Sequence, residues 1–195
     1  MYEVIGIAGT SASGKDSGAE YLAQRYGYLH ISTADLIRTE AIRRYGSDDQ
    51  YLLRKIGHEM RQQMGKGALA STAIAAYTRS ADEYAGVIVS SYRIPQAADV
   101  IRQSGGLLVF VDAPVEERYK RLQGRNRTGE SKSLEEFVQF ELDESAGSTQ
   151  NGLNLSAVRD MSDIQIMNDS SEPLFHAKLD SLMTDYAPPQ VPTST

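Results

Sequence analysis

The residues with the clearest chemical potential lie near the start of the chain, in the run Gly9-Thr-Ser-Ala-Ser-Gly14-Lys15-Asp16-Ser17. Glycines in such a run let the chain turn so that successive backbone N–H groups point into one hollow, and a following helix adds partial positive charge. In this pattern the lysine reaches the β- and γ-phosphates of a nucleotide and a hydroxyl faces Mg²⁺. The run comes after a short apolar stretch and before a helical pattern, which is the context that the motif requires. We therefore predict a site for ATP and Mg²⁺ formed by Gly9, Ser11, Ala12, Ser13, Gly14, Lys15, Asp16 and Ser17.

The residue after Lys15 departs from the general motif. The pattern asks for Ser or Thr there, whereas this chain has Asp16, and the hydroxyl arrives one position later at Ser17. A carboxylate inside a polyphosphate site repels the ligand, but it is favoured on the outside of the first turn of a helix. We therefore predict that the Asp16 side chain points outward and that Ser17 supplies the hydroxyl for the metal.

A second group of chemically active residues is basic. Arg118, Arg121 and Arg125 are spaced three and four residues apart, which places them on one helical face, and Arg127 follows shortly after. Clustering of this kind in a chain of net charge −6 indicates a local anion site. The alternative is a solvated basic face, which suits Arg118 best.

Asp112 follows the apolar run Leu107-Leu108-Val109-Phe110-Val111. In a doubly wound sheet, ligands bind beyond the carboxyl ends of the strands, so this carboxylate is a candidate for the magnesium site. It is equally suited to capping a helix that starts at Pro114. The sequence alone does not decide between magnesium binding and helix capping for Asp112.

Composition excludes several other kinds of site. A chain of 195 residues has the length of one domain, and with no cysteine it can hold neither a disulfide nor a thiolate metal site nor a cysteine nucleophile. Only three histidines argue against a histidine-built zinc site. The net charge of −6 argues against a nucleic-acid partner. The N-terminus does not have the pattern of a signal peptide, and no apolar run approaches the roughly 20 residues that span a bilayer. We expect a cytoplasmic protein that is a monomer or weak homodimer.

Alternation of short apolar runs with segments of helical period predicts an α/β fold around a five-stranded parallel sheet covered on both faces. The strands are predicted at 3–8, 28–31, 86–90, 107–112 and 163–167. The helices are predicted at 14–26, 33–45, 49–64, 68–82, 95–104, 114–124, 133–146 and 172–185.

Several segments depart from this alternation of strands and helices. The stretch 32–85 holds more helix than one crossover needs, which predicts a helical insertion that projects from the core. The polar, basic segment 124–132 predicts a flap, and 147–154 a further loop. We expect a single domain over 1–186, followed by a disordered or extended tail over 187–195 that contains several prolines.

Two stretches of the chain resemble the adenylate kinase group of nucleoside monophosphate kinases. That family opens its first helix with Gly-Lys-Gly-Thr and continues from its second strand into His-Ile-Ser-Thr-Gly-Asp-x-x-Arg; this chain has Gly14-Lys15-Asp16-Ser17 and His30-Ile31-Ser32-Thr33-Ala34-Asp35-Leu36-Ile37-Arg38. The resemblance puts Ser17 in the place of the threonine and implies that Thr33 and Arg38 hold the phosphate of the acceptor. Taken alone, Ser32 and Asp35 form an ordinary N-cap pair, and Arg38 suits a solvated position equally well.

A third stretch, Val89-Ser90-Ser91-Tyr92-Arg93-Ile94-Pro95-Gln96-Ala97, is similar to the family's Asp-Gly-Phe-Pro-Arg-x-x-x-Gln-Ala with one residue fewer. The match implies that Arg93 binds the acceptor phosphate and Gln96 the acceptor base. It also shows a departure, because Ser90 replaces an aspartate that in the family orients water around Mg²⁺.

The resemblance implies a P-loop NTPase fold, a three-layer α/β/α sandwich with a helical acceptor-binding insertion over 32–85 and a short lid over 124–132. It implies transfer of the γ-phosphoryl group of ATP to a nucleoside or deoxynucleoside monophosphate, with Mg²⁺ as cofactor. The arginines near the lid would stabilise the transferring group. The catalytic residues implied are Lys15, Arg93, Arg121, Arg125 and Arg127.

Two alternatives follow from the same residues. Small archaeal-type nucleotide kinases and dephospho-coenzyme A kinases share the pattern Leu53-Arg54…Gly57…Met60-Arg61…Gly65, so dephospho-coenzyme A is an alternative acceptor. The helix after the lid lacks an arginine that the adenylate kinases have there. Together with Ser90, this favours a third hypothesis, an ATP-binding regulatory module or an inactive relative of the kinases.

Overall fold

A computed structural model describes residues 1–124, 133–145 and 153–186 of the chain. Most of the predicted lid, most of the predicted loop at 147–154 and the tail over 187–195 lie outside the described residues. In the described part, no helix is both long and apolar enough to cross a membrane.

Five parallel strands form one sheet, as the sequence predicts. They are β1 (Val4–Gly9), β2 (Tyr28–Ser32), β3 (Gly86–Ser90), β4 (Leu107–Asp112) and β5 (Ile164–Met167). Their spatial order is β2-β3-β1-β4-β5, so β1 lies in the centre of the sheet. The helices are α1 (Lys15–Tyr26), α2 (Thr33–Tyr45), α3 (Gln50–Met64), α4 (Ala68–Thr78), α5 (Pro95–Gln103), α6 (Val115–Gln123), α7 (Leu134–Ser145), α8 (Leu155–Met161) and α9 (Glu172–Asp185).

The central strands are buried on both faces because helices cover both sides of the sheet. Successive side chains of a strand point to opposite faces, and in β3 Val87 and Val89 pack toward α4, α5 and α8. Ile88 between them packs on the other face, where α1 and α9 contribute Leu22 and Leu179. Strands buried on both sides carry continuous apolar runs, which is why these runs were readable in the sequence.

The strand register brings the site residues to one edge of the sheet. Ser90 is paired with Ile7 of β1 and with Ser32 of β2, so the ends of these three strands lie side by side. On the other side of β1, Gly9 is paired with Val111, one residue before Asp112. The residues that follow all these strands therefore meet at the same edge, where ligands bind in open α/β sheets.

The helical stretch between β2 and β3 forms as predicted, but it does not project as a whole. Helix α4 ends at Thr78 rather than at 82, and its Ala70 and Ala73 are fully buried in the cluster that holds the apolar side chains of β3. The expectation of a fully projecting insertion is therefore wrong for α4, which belongs to the layer that covers the sheet. Small alanine side chains let this helix pack closely on the strands.

Helix α8 was not predicted. It has seven residues, and Asn154 caps it because the Asn154 side chain accepts a hydrogen bond from the Ala157 N–H at 2.9 Å. So short a helix shows little of the helical period that reveals longer ones in a sequence. Its Leu155 and Val158 fill the core beside α5.

The packing of α4 can be tested with a matched pair of substitutions on that helix. Ala73→Leu inserts a larger side chain at a fully buried position and is expected to lower the free energy of unfolding by about 1–3 kcal/mol. Ala75→Leu, at an exposed position two residues away, should change it by no more than about 0.5 kcal/mol. Urea unfolding followed by circular dichroism measures both values. Equal effects of the two substitutions would contradict the placement of α4 in the core.

Candidate active site

The turn between β1 and α1 has the form that the glycine-rich run predicts. Gly14 precedes α1 with φ of 93°, a left-handed conformation that L side chains rarely adopt. A Cβ atom on Gly14 would lie 2.4 Å from Asn168 Nδ2, and one on Gly9 would lie 2.1 Å from the Val111 carbonyl oxygen. Both glycines are required because neighbouring groups approach the backbone closely.

The turn is held in place through its carbonyl groups. The Ser13 carbonyl accepts hydrogen bonds from Asn168 Nδ2 at 2.8 Å and from Arg121 Nη1 at 3.3 Å. Arg121 Nη2 also donates to the Asn168 carbonyl at 3.2 Å, so hydrogen bonds join Ser13, Asn168 and Arg121 to one another. The structure thus brings Arg121 against the phosphate-binding loop. Asn168, a buried amide directly after β5, was not predicted as a site residue, because its contact with the loop is not visible in the sequence.

Lys15 lies over the loop and is only 4% exposed. Its Nζ donates to the Thr10 carbonyl at 3.3 Å and lies 3.5 Å from Asp16 Oδ2. Two residues further on, Ser17 is exposed in the first turn of α1, where its hydroxyl can face a ligand. Phosphate-binding loops use an ammonium and a hydroxyl in this way, but here the hydroxyl comes one residue later than in the general motif.

Asp16 does not point outward, and that prediction is wrong. Its Oδ1 accepts hydrogen bonds from Ser91 Oγ at 2.7 Å and from Ser90 Oγ at 3.0 Å, so the side chain turns toward the end of β3. Burial alone would raise the pKa of Asp16, but the Lys15 charge and the two hydroxyl hydrogen bonds lower it to about 2. The carboxylate is therefore ionised at neutral pH. Donors from β3, which lie far away in the sequence, are the reason for its orientation.

His30 extends this group of polar side chains. Its Nε2 lies 2.9 Å from Ser90 Oγ, and because the Ser90 hydroxyl donates to Asp16, Nε2 is the donor in the contact with Ser90. Burial lowers the pKa of His30. A neutral imidazole and an ionised carboxylate therefore lie on either side of the Ser90 hydroxyl.

Asp112 holds the loop from the other side of β1. Its Oδ1 accepts hydrogen bonds from Thr10 Oγ1 at 2.6 Å and from the Ala113 N–H at 2.9 Å, and its Oδ2 accepts one from Arg159 Nη2 at 2.5 Å. It does not cap α6, because Pro114 precedes that helix without a side-chain cap. Both carboxylate oxygens have protein donors, which favours a role in holding the loop over a role in binding metal.

Arg118 is not part of a solvated face, the alternative considered for it. It is 7% exposed, its Nε donates to the Ala113 carbonyl at 2.8 Å, and its guanidinium pairs with Glu141 of α7. It thus joins α6 to α7. The other two arginines predicted near the lid, Arg125 and Arg127, lie outside the described residues.

The residues predicted for the acceptor lie at the start of α2 and after β3. Thr33 is buried, and Ser32 caps α2 by accepting a hydrogen bond from the Asp35 N–H at 3.3 Å, so the predicted N-cap pair is present. Arg38 forms ion pairs with Asp35 and, at 3.3 Å, with Asp48. Its side chain is 25% exposed, so it is not fully solvated.

A second cation lies near Arg93 and was not predicted as a site residue. The pKa of Arg61 in α3 is lowered by burial and by the positive charge of Arg93. Gly57 makes room for this arrangement, because a Cβ atom there would lie 3.1 Å from Arg61 Nη1. Two neighbouring cations on different elements form a place where an anion can bind. Gln96 is exposed in the first turn of α5, a few residues after Arg93.

The residues present also fit a magnesium ion bound together with a nucleotide. Within the described ranges, no three acidic or histidine side chains cluster into a ready-made metal site. Mg²⁺ that accompanies nucleotides is held mainly by phosphate oxygens and water, with only one or two protein groups. Ser17 and Asp16, side by side at the start of α1, are suited to that limited role.

The hydrogen bond from Asn168 to the Ser13 carbonyl can be tested by substituting Asn168 and, as a control, its neighbour Asp169. Asn168→Ala removes the buried donor to the Ser13 carbonyl and is expected to lower the free energy of unfolding by about 1–3 kcal/mol. Asp169→Asn, which removes an exposed charge paired with Lys178, should cost about 0–1 kcal/mol. Chemical denaturation of both variants gives these values. A loss at Asn168 no larger than that at Asp169 would show that the loop does not depend on this contact.

The chain is similar to several known proteins. A family model described as an AAA domain matches residues 8–138. The chain is 30% identical over 146 residues to a UPF0200 protein of Pyrobaculum aerophilum, covering 74% of this chain and 78% of that protein. It is 28% identical over 152 residues to adenylate kinase isoenzyme 1 of Cyprinus carpio, covering 72% of this chain and 74% of that enzyme.

Some relatives are longer than this chain. The chain is 26% identical over 188 residues to a UPF0200/UPF0201 protein of Archaeoglobus fulgidus, which is 95% of this chain but only 56% of that relative. Among solved structures, shikimate kinase from Acinetobacter baumannii in complex with shikimate superposes with a TM-score of 0.53 at 16% identity, covering 95% of both chains. At that identity the likeness shows the fold alone. A loop of this geometry on a kinase-type fold supports a phosphotransferase. The chain therefore belongs to the AAA-domain family of P-loop proteins with the kinase fold, as its resemblance to the adenylate kinases predicted.

Proposed function

We propose that the protein transfers the γ-phosphoryl group of ATP·Mg²⁺ to a nucleoside or deoxynucleoside monophosphate. The observation that carries the proposal is the division of cations into two groups at one edge of the sheet. Lys15 and Arg121 lie on the loop after β1. Arg61 of α3 and Arg93, which follows β3, form the second group, in which the charge of Arg93 lowers the pKa of Arg61. Two anion sites at one edge suit a reaction that moves a phosphoryl group from one phosphate to another.

On the donor side, the loop amides and Lys15 bind the phosphates of ATP. Arg121, which contacts the loop at the Ser13 carbonyl, contributes to neutralising the charge of the transferring group in this proposal. Arg125 and Arg127, predicted from the sequence for the same task, complete the proposal. When bound, Mg²⁺ would neutralise charge on the phosphates, and the Ser17 hydroxyl in the first turn of α1 would help to hold it.

On the acceptor side, Arg61 and Arg93 bind the monophosphate together with Thr33 and Arg38. The ion pairs of Arg38 with Asp35 and Asp48 involve carboxylates that are 64% and 55% exposed, so a phosphate can replace them at little cost. Gln96, which is exposed in the first turn of α5, contacts the base in this proposal. A monophosphate is already largely ionised at neutral pH, so the transfer needs positioning and charge neutralisation rather than a general base.

The donor role of Lys15 is tested by assaying ADP release with ATP and a panel of ribonucleoside and deoxynucleoside monophosphates. Wild-type protein is expected to phosphorylate members of this panel, and Lys15→Ala to lower kcat about 100- to 1,000-fold, since it removes a charge that stabilises the transition state. Lys120→Ala, at a side chain that is 70% exposed on α6, serves as the control and should retain wild-type activity. Full activity of Lys15→Ala would overturn the proposal. Transfer to dephospho-coenzyme A alone would replace the proposed acceptor by the alternative one.

The acceptor site is tested by steady-state kinetics of Arg61→Ala and Arg93→Ala. Each substitution should raise KM for the monophosphate about 10- to 100-fold, because hydrogen bonds to charged groups contribute about 1.5–3 kcal/mol. The KM for ATP should stay unchanged. Arg79→Ala, at the exposed end of α4, is the matched control. A rise confined to the KM for ATP would place the two arginines on the donor side instead.

A further inference from the structure

Asp16 is the acidic side chain whose position the donor and acceptor sites do not explain. It follows Lys15 directly, in a loop suited to a polyphosphate, and its carboxylate accepts hydrogen bonds from the Ser90 and Ser91 hydroxyls. An anion at this place repels the phosphates of a nucleotide unless a cation lies between them. Lys15 is 3.5 Å away, but the lysine of such a loop is engaged by the phosphates themselves. The position of Asp16 therefore calls for a second cation.

The surroundings of Asp16 fix its carboxylate in one orientation. Ser90 and Ser91 both donate to the same oxygen, Oδ1, whereas Oδ2 is the oxygen nearer to Lys15. The Asp16 side chain is 43% exposed, so solvent reaches part of it. A carboxylate that two hydroxyls hold through Oδ1, with Oδ2 near Lys15, has remaining lone pairs that can accept hydrogen bonds from water molecules around a cation.

Ser91 shows that this orientation is maintained at a cost. It has φ of 61°, a left-handed conformation that is unfavourable for residues other than glycine. Its N–H donates to the Ile7 carbonyl at 3.1 Å, and its hydroxyl donates to Asp16. Strained residues of this kind are concentrated at functional sites, where the rest of the structure holds them in place. Glycine would relieve the strain at position 91 but could not make the hydrogen bond to Asp16.

We propose that Asp16 binds the water shell of the Mg²⁺ ion that accompanies the nucleotide, and that Ser90 and Ser91 act as positioning residues for its carboxylate. The inference rests on the proposed use of ATP·Mg²⁺. Carboxylate oxygens are preferred partners of Mg²⁺, which usually keeps several of its waters in nucleotide sites. Ser90 stands where the adenylate kinases have an aspartate, and Asp16 brings a carboxylate to this strand end from the loop instead.

The test measures the affinity for ATP by isothermal titration calorimetry, once with excess Mg²⁺ and once with EDTA. The ratio of the two Kd values is the gain in affinity that Mg²⁺ provides. Asp16→Asn is expected to reduce this gain about 10- to 100-fold, the usual effect of losing an outer-sphere partner of a metal. In EDTA the same variant should bind ATP more tightly than wild-type protein, because a repulsive charge has been removed. Asp82→Asn, an exposed residue before β3, should leave both Kd values unchanged.

Two further variants separate this role from a merely structural one. Ser91→Gly keeps Asp16 and suits the left-handed backbone, so it should unfold no more easily than wild-type protein while losing part of the gain from Mg²⁺. The double variant Asp16→Gly with Ser90→Asp moves the carboxylate to the end of β3. This double variant should recover gain in ATP affinity from Mg²⁺ that the single variant Asp16→Gly has lost.

The outcomes distinguish this inference from the proposed function. Wild-type protein that binds no ATP would overturn both. The wild-type protein could gain affinity for ATP from Mg²⁺ as expected, while Asp16→Asn changes the Kd for ATP by the same factor with Mg²⁺ and with EDTA. That result would overturn only the role of Asp16. The same conclusion would follow if the double variant bound ATP without any recovered gain.

Discussion

The loop between β1 and α1 must turn its N–H groups into one hollow, and its carbonyl groups are then left facing the protein. Buried carbonyls need donors, and here the donors come from distant elements. Asn168 after β5 and Arg121 of α6 both bind the Ser13 carbonyl, while Asp112 at the end of β4 binds the Thr10 hydroxyl. The order of strands in the sheet places these groups around the loop. The packing of the C-terminal half of the chain is thus coupled to the shape of the phosphate site.

The charges at the site are balanced by contacts that differ in strength. The pair of Arg118 with Glu141 is buried and links two helices, so it is a fixed part of the scaffold. The pairs of Arg38 with Asp35 and Asp48 are more exposed, and such pairs contribute only about 0–1 kcal/mol. A net charge of −6 therefore coexists with a basic edge of the sheet, because the acidic residues near that edge either hold the scaffold or can be exchanged for phosphate.

Features with a local cause were predictable from the sequence. The apolar runs of β3 and β4 follow from burial on both faces, and the loop from Gly9 to Ser17 follows from its own glycines and lysine. Features that depend on distant partners were not. Ser90 and Ser91, which turn Asp16 inward, lie 74 and 75 residues away from it in the chain. Arg61 is a candidate site residue only because of its partner Arg93, and Asn168 only because of the loop that it contacts. Periodicity and motif spacing contain no information on such pairs.

The contact between Asn168 and Ser13 joins groups that are 155 residues apart in the chain. Closing so long a loop has a high entropic cost and is slow compared with forming a helix or a hairpin. The phosphate loop is therefore held partly by a residue that follows β5, although the loop's own motif lies at the start of the chain. A nucleotide that binds this loop stabilises the folded state in which the contact is made over states that lack it. Nucleotide binding thus favours states in which the two ends of the chain are packed together.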